Sequence, residues 1–379
     1  MVRFYLLGNK RQFFWRWGVW IVIFVLFLAG GLGLYRQEVK VFGVLTQAIL
    51  LFLLLFFRQK LQLPKGFLLF VVSLILLGLN VIWSKERLAT LDYVVMFSGG
   101  ATFWFVFYNL GGKFNKTFKY FIVFLGLVFG VSFMLNLFVF PQIPVRPWTL
   151  YLPSTFSRNH NHLGDLWALV LIVAIHGLLK KPRRWHWALF IPGVYFLTIS
   201  LSRSAYLALG VGVFYLFQKL GVAKKFRKLY FLLLAVAAGL FLYAGLFKST
   251  LFSRPYFEQV IWGFTRWPWG VGVGNFGVIS TNPQGPWWSG PGTGIISGFA
   301  HNLIFEMISG LGILGMVFLA WIVYVLVDLL KNSKKALFPA IFLAITANFM
   351  FDTTYYIPTM LWLWFASLGL AQASSVHRK

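Results

Sequence analysis

Long apolar runs alternate along the chain with short breaks rich in charge, glycine or proline. A transmembrane helix needs roughly 20 mostly apolar residues. Twelve runs meet or approach that length, over about 18–35, 41–57, 66–83, 93–111, 120–140, 162–179, 185–201, 204–221, 230–247, 303–330, 336–351 and 356–373. The pattern predicts an all-α integral membrane protein of about twelve transmembrane helices. The first run follows Arg3, Lys10, Arg11 and Arg16, and no small-residue cleavage site follows it, so it reads as a retained signal anchor. The stretch 185–221 is nearly unbroken, interrupted chiefly at Ser200 and Ser202-Arg203-Ser204. As one helix it would be about 55 Å long, against a hydrocarbon core of about 30 Å. The chain is therefore expected to turn at Ser202-Arg203-Ser204, with Arg203 at the outer end of a helical hairpin.

Composition agrees with the pattern. Of 379 residues, 59% are hydrophobic and 11% charged, and the mean hydropathy is +0.78. Soluble domains carry about 25% charged residues, so a soluble globular enzyme is excluded. The 44 Phe, 17 Trp and 15 Tyr exclude a disordered chain. The lack of Cys excludes disulfides, thiolate metal sites and a Cys nucleophile. The net charge of +26 would suggest nucleic acid in a soluble protein. Here, assigning alternate loops to opposite sides puts 24 of the 34 Lys and Arg on one side, in short loops. That asymmetry is the positive-inside pattern. It places both termini in the cytoplasm and makes a nucleic-acid partner unnecessary.

Two outer loops are long, 141–161 and 248–302, the second lying between helices 9 and 10. Residues 1–379 read as one polytopic membrane domain, with 248–302 as a large extracytoplasmic loop inside it. A Gly/Pro/Trp-rich loop of that length is usually functional. Its start, roughly 255–265, fits a short interfacial helix. Its tryptophans Trp262, Trp267, Trp269, Trp287 and Trp288 suit the aromatic belt better than a sugar-stacking platform.

Polar residues that loops do not trivially explain gather on the predicted outer side: Arg158, Asn159, His160, Asn161, Arg203, Arg254, Arg266, His301 and Asn302. Arg203 is either a snorkelling interfacial residue or an anion ligand. The short turn leaves it little freedom to escape, and an arginine at bilayer depth usually faces a wet cavity, which favours the anion ligand. Arg254 and Arg266 are each unremarkable alone. Several guanidinium forks on one face with few carboxylates nearby would suit a pyrophosphate. His301 is either an interfacial residue or a general base, since an imidazole with an unperturbed pKa near 6.5 is mostly neutral at pH 7. Asn302 or a loop carbonyl could fix its tautomer. His160, His162, Asp165 and His301 match no metal spacing, so no metal is expected. The outer carboxylates Glu38, Glu86, Asp92, Glu258 and Asp352, with Asp165 and Glu306 near span ends, include no Asp-x-Asp pair. Gly270-Val271-Gly272-Val273-Gly274 lacks the Lys-Ser/Thr of a phosphate loop and reads as a sharp bend or a close backbone approach to a ligand.

Taken in order, these pieces resemble the O-antigen ligase/polymerase family of bacterial membrane proteins. The resemblance is carried by Phe156-Ser157-Arg158-Asn159-His160-Asn161, Leu201-Ser202-Arg203-Ser204, Arg254, Pro268-Trp269-Gly270-Val271-Gly272-Val273-Gly274-Asn275-Phe276, and Ala300-His301-Asn302 followed by Gly310-Leu311-Gly312-Ile313-Leu314-Gly315. It covers about 155–330; the N-terminal third is similar only in hydropathy. The resemblance implies a fold related to the GT-C membrane glycosyltransferases and no cofactor. It implies metal-independent, inverting glycosyl transfer at the outer face of the bacterial cytoplasmic membrane. The donor would be a glycan on undecaprenyl diphosphate and the acceptor a hydroxyl of a glycan or glycolipid. Arg203 and Arg254 would hold the diphosphate and His301 would activate the acceptor. Arg158, Asn161, Arg266 and Asn302 would support them. Family members often carry a Glu shortly before the Gly-x-x-Gly; here Gly310 stands there, and the nearby acid is Glu306. The alternative class is a polytopic transporter or flippase of lipid-linked glycans. Transporters place ionisable groups near the bilayer midplane, where this chain offers chiefly His176.

Overall fold

The computed structural model describes residues 44–45, 47–49, 51, 61–111, 115–139, 159–225, 256–285 and 297–376, and all regular structure among them is helical. The apolar runs 18–35 and 230–247, and most of 41–57, lie outside the described residues. So do Arg158 and Arg254.

The apolar runs that remain coincide with helices. They are α1 (Phe67–Asn80), α2 (Arg87–Leu110), α3 (Asn115–Val139), α4 (His160–Lys180), α5 (Arg184–Ser200) and α6 (Arg203–Lys219), followed by further helices after the 248–302 region. Within that region lie α7 (Tyr256–Arg266) and the single turn α8 (Phe276–Ser280). Beyond it come α9 (Leu303–Leu311), α10 (Gly315–Asn332), α11 (Leu337–Phe349) and α12 (Pro358–Val376). Among the described residues, four stretches are long and apolar enough to cross a membrane: Arg87–Leu110, Asn115–Leu135, His160–Lys180 and Leu303–Asn332.

Helix α4 is the centre of the packing. Every residue from 162 to 174 is buried. Helix α5 runs antiparallel to it, because His186 faces Gly177, Leu171 faces Gly193 and Ser200 faces Gly164. Helix α6 runs back the other way, with Ser204 bonded to Asp165 and Gly212 against Ile172. The chain thus reverses at Leu201-Ser202, where Leu201 takes φ +48° and the Ser202 hydroxyl caps α6 by accepting from the Ala205 N–H. Helices α5 and α6 flank α4 instead of packing tightly on each other. Small residues govern the close contacts: Gly100 of α2 admits Phe365 of α12, and Gly369 of α12 lies against the backbone of α2. Without a hydrophobic drive between helices in lipid, such backbone approach supplies the van der Waals contact that holds them.

The two ends of this bundle differ in charge. At one end Lys65 pairs with Asp328 at 3.1 Å, the Gln372 amide donates to the Lys65 carbonyl, and the Lys219 ammonium donates to the Ser333 carbonyl. Lys180, Lys181, Arg183, Arg184, Lys331, Lys334 and Lys335 sit at the same end. The opposite end carries the connections 81–86, 201–202, 267–285, 297–302 and 350–357, and its described Lys and Arg are few: Lys85, Arg87, Arg203 and Arg266.

One predicted element is divided. The run 303–330 breaks at Gly312, which takes φ +59°, and a one-turn 3₁₀ segment Gly312–Leu314 joins α9 to α10. The cause is tertiary. The segment 267–275 lies along the break, with Val271 N–H donating to Ser309 O (3.1 Å), Gly272 N–H to Gly310 O (2.9 Å) and Ile313 N–H to Pro268 O (2.9 Å). A methyl group at Gly312 would overlap the Pro268 carbonyl. Gly312→Ala is therefore expected to destabilise the protein by about 2 kcal/mol or more, from left-handed strain plus loss of the strap contact. Thermal unfolding in detergent measures it. Gly210→Ala, where an added methyl meets nothing within 4 Å, is the control and should melt at or above the parent temperature. Equal melting of the two variants would refute this reading of the break.

Candidate functional site

The region around His301 is organised by a fully buried carboxylate. Glu306, in the first turn of α9, is 0% exposed. Its Oε1 accepts from Gly274 N–H at 3.0 Å, and its Oε2 accepts from Ala300 N–H at 2.9 Å and from the Tyr355 hydroxyl at 3.0 Å. Three segments far apart in sequence are thereby fixed to one side chain. Burial first, and then the Glu306 charge, push the Tyr355 phenol well above its usual range, so it stays protonated as a donor.

The glycine segment between Gly270 and Gly274 is the second piece. Asn80 at the end of α1 bridges it to α9: its Nδ2 donates to Gly310 O at 3.1 Å and its Oδ1 accepts from Val273 N–H at 3.0 Å. Asn275 ties it to the 84–90 corner. Its Oδ1 accepts from Glu86 N–H, and its Nδ2 donates to Ser84 Oγ and Thr90 Oγ1. Of the two readings of these glycines, a sharp bend or a close approach to a ligand, the backbone fits the bend. Gly270, Gly272 and Gly274 take φ of +79°, +102° and +83°, and their close neighbours are Gly310, Ser84 and Tyr93 of the protein itself. The close approach is protein to protein, and it makes a strap.

His301 sits between the two fixed points. Its backbone takes φ +51°, one of two positive values at non-glycine residues among those described; the other is Leu201. Each such conformation costs roughly 1–2 kcal/mol and persists only where the surroundings over-determine it. On one side Ala300 is held by Glu306. On the other, Asn302 caps α9, its Oδ1 accepting from Ile304 N–H (2.8 Å) and Phe305 N–H (3.0 Å) while its Nδ2 donates to Met350 O (3.0 Å). The half-buried imidazole stacks on Tyr256 of α7, with centroids 5.1 Å apart and planes 11° from parallel. The Asn302 amide is thus engaged with backbone on both sides of the corner.

Arg203 is exposed at the first position of α6. Its neighbour Ser204 donates to Asp352 Oδ2 at 3.1 Å, in the turn whose Met350 carbonyl receives Asn302. The Arg203 corner and the His301 corner thus lean on one turn, 350–353, at the same end of the bundle. Asn161 lies in the first turn of α4, where its N–H is capped by Asn159. Arg266 sits at the far end of α7 from Tyr256, about 15 Å along the axis. Its guanidinium donates to Gln284 at 2.7 Å and lies over the Trp262 ring. This is a structural contact of an exposed loop charge. Arg158 and Arg254 belong to the undescribed residues.

Sequence reasoning missed Glu306 as the organiser, Tyr256 as the stacking partner, and the group formed by His162, Asp165, Ser202, Ser204 and Asp352. A signal was present for two of them, because carboxylates flanked by apolar residues, as in Ile304-Phe305-Glu306-Met307-Ile308 and Gly164-Asp165-Leu166-Trp167, require partners.

Replacing Glu306 by Gln forces an amide NH₂ against at least one of its three donors. Glu306→Gln should lower stability by about 1.5–3 kcal/mol, read as a fall in melting temperature in detergent. An unchanged melting curve would remove Glu306 from its organising role.

No protein-family model matches the chain, and no curated protein matches it in sequence.

Proposed function

We propose that this chain is an inverting, metal-independent glycosyltransferase of the O-antigen ligase/polymerase type. In this reading it spans the bacterial cytoplasmic membrane about twelve times with a GT-C-like fold. Both termini lie in the cytoplasm, and the His301 end of the bundle faces outward. The donor is a glycan on undecaprenyl diphosphate, and the acceptor is a hydroxyl of a glycan or glycolipid.

The observation that carries the reading is the coincidence of backbone strain with the two motifs named from sequence. Leu201, just before Ser202-Arg203-Ser204, and His301 are the two non-glycine residues with positive φ among those described. Strain of this kind gathers at functional sites, where the surroundings hold it. Both corners also meet the same turn, through Asp352 and Met350. A further support is chain order. Arg254 precedes by two positions Tyr256, on which His301 stacks. The orientation is supported by the basic residues crowded at the opposite end.

The chemistry follows from the side chains. The acceptor oxygen attacks the anomeric carbon as the bond to the diphosphate oxygen breaks, and His301 takes the acceptor proton. The configuration inverts because attack is opposite to departure. Arg203 and Arg254 stabilise the charge that builds on the leaving diphosphate. Fixed donors aimed at developing charge are effective because they need no reorganisation during the reaction. A positioned general base typically contributes about 10²–10⁴-fold.

His301→Ala should lower transfer by about 10²–10⁴-fold while the protein still inserts and still binds donor. Purified protein in detergent, with a lipid-diphosphate glycan and its acceptor, provides the assay. Near-normal product from His301→Ala would remove it from the mechanism. Arg203→Ala should instead weaken donor binding, read by titration of the lipid diphosphate. Turnover without a sealed compartment separates the transferase from a transporter of the same lipid-linked glycan, which would give none.

A further inference from the structure

Beneath the Arg203 corner lies a group of polar side chains that the proposed transfer does not use. Asp165 of α4 is 1% exposed and Asp352, in the turn after α11, is 14% exposed at its side chain. Four oxygen contacts join them to two serines: Ser202 Oγ to Asp165 Oδ1 at 3.1 Å, Ser204 Oγ to Asp165 Oδ1 at 3.0 Å, Ser204 Oγ to Asp352 Oδ2 at 3.1 Å, and Ser202 Oγ to Ser204 Oγ at 2.9 Å. The two hydroxyls supply two hydrogens, enough for two of these contacts. One more hydrogen, on a carboxyl, covers a third.

The charges point the same way. Two carboxylates bridged by one hydroxyl repel. Asp352 Oδ1 also accepts from the Thr353 N–H and hydroxyl, but among the described residues no Lys or Arg pairs with either acid. His162 Nε2 is 3.9 Å from Asp352 Oδ1, beyond hydrogen-bond reach, and it meets the Asn159 amide nitrogen at 3.2 Å. With Asn159 Nδ2 as donor, that ring nitrogen accepts and the imidazole is neutral. The other groups around the pair are His160 on α4, Tyr355 beside Asp352, and Asn348 of α11. Arg203 is exposed on the first turn of α6. Asn348 is 1% exposed and its amide lies against Asp165, where it favours the ionised acid, although neither its Nδ2 nor Asp165 Oδ2 completes a hydrogen bond of good geometry. Two like charges held this close, one of them fully buried, are costly unless a cation neutralises one of them.

We propose that Asp165 and Asp352 bind one proton between them, forming a proton-binding site under the Arg203 corner. The geometry favours a proton over a metal ion. Oxygens around a calcium-sized ion at about 2.4 Å and at right angles lie about 3.4 Å apart, wider than these contacts, and among the described residues no group of three His, Asp or Glu side chains converges as a metal site. The exchange is simple: one carboxylate takes H⁺ and becomes a neutral acid that donates to the bridging serine, and release restores the second negative charge. The site makes the seat of Ser202-Arg203-Ser204 responsive to pH at the outer-facing end, and it does not depend on which reaction the protein performs.

Infrared difference spectroscopy of the purified protein at neutral pH tests this through the carbonyl stretch of a protonated carboxylic acid. Asp165→Asn and Asp352→Asn are compared singly with the parent. Asn is nearly isosteric with a neutral acid, and Ser202→Ala serves as a milder second variant. Each single Asn variant is expected to remove the same acid band, because the remaining carboxyl can ionise alone; Ser202→Ala should shift that band and keep it. Loss of no band in either Asn variant, or loss in only one of them, overturns the shared proton, as does a band that Ser202→Ala leaves unmoved.

Discussion

A buried carboxylate with three donors is what the His301 end of this molecule depends on. Glu306 accepts from the backbone of Gly274, the backbone of Ala300 and the hydroxyl of Tyr355. An ionised group taken out of water is tolerable only if its lone pairs are met, and here the strap, the His301 corner and the 350–357 connection all supply donors. The same bonds that satisfy the acid bring the glycine segment onto α9 and hold the residue before His301. The break at Gly312 and the left-handed backbone of His301 follow from that arrangement.

The helices were legible because their signal is local. Apolar runs over 66–83, 93–111, 120–140 and 162–179 fall on α1 to α4, and the length argument for 185–221 found the reversal between α5 and α6. The break in 303–330 was not legible, since Gly310-Leu311-Gly312 is compatible with a continuous helix until the backbone of 267–275 lies across it. The strap itself shows why glycine is ambiguous in a sequence: Gly270, Gly272 and Gly274 signal close approach, and only the fold says to what.

The candidate site was legible in part for the same reason. Residue types suited to anion binding and proton transfer could be named at Arg203 and His301. Their shared dependence on the turn 350–353 rests on contacts across 148 positions between Ser204 and Asp352 and 48 between Asn302 and Met350, which no local pattern encodes. Arg266 shows the converse. It had the right type and the right loop, but Gln284 and Trp262 lie within its reach and hold it.

The account stands on the Arg203 and His301 corners serving one ligand at one end of the bundle. An experimental structure of the protein with a bound undecaprenyl-diphosphate glycan tests this most directly. The account predicts the diphosphate at the Arg203 corner with the first sugar toward the Tyr256–His301 stack. A diphosphate seated at the lysine-rich end, or one enclosed far from both corners, would contradict it.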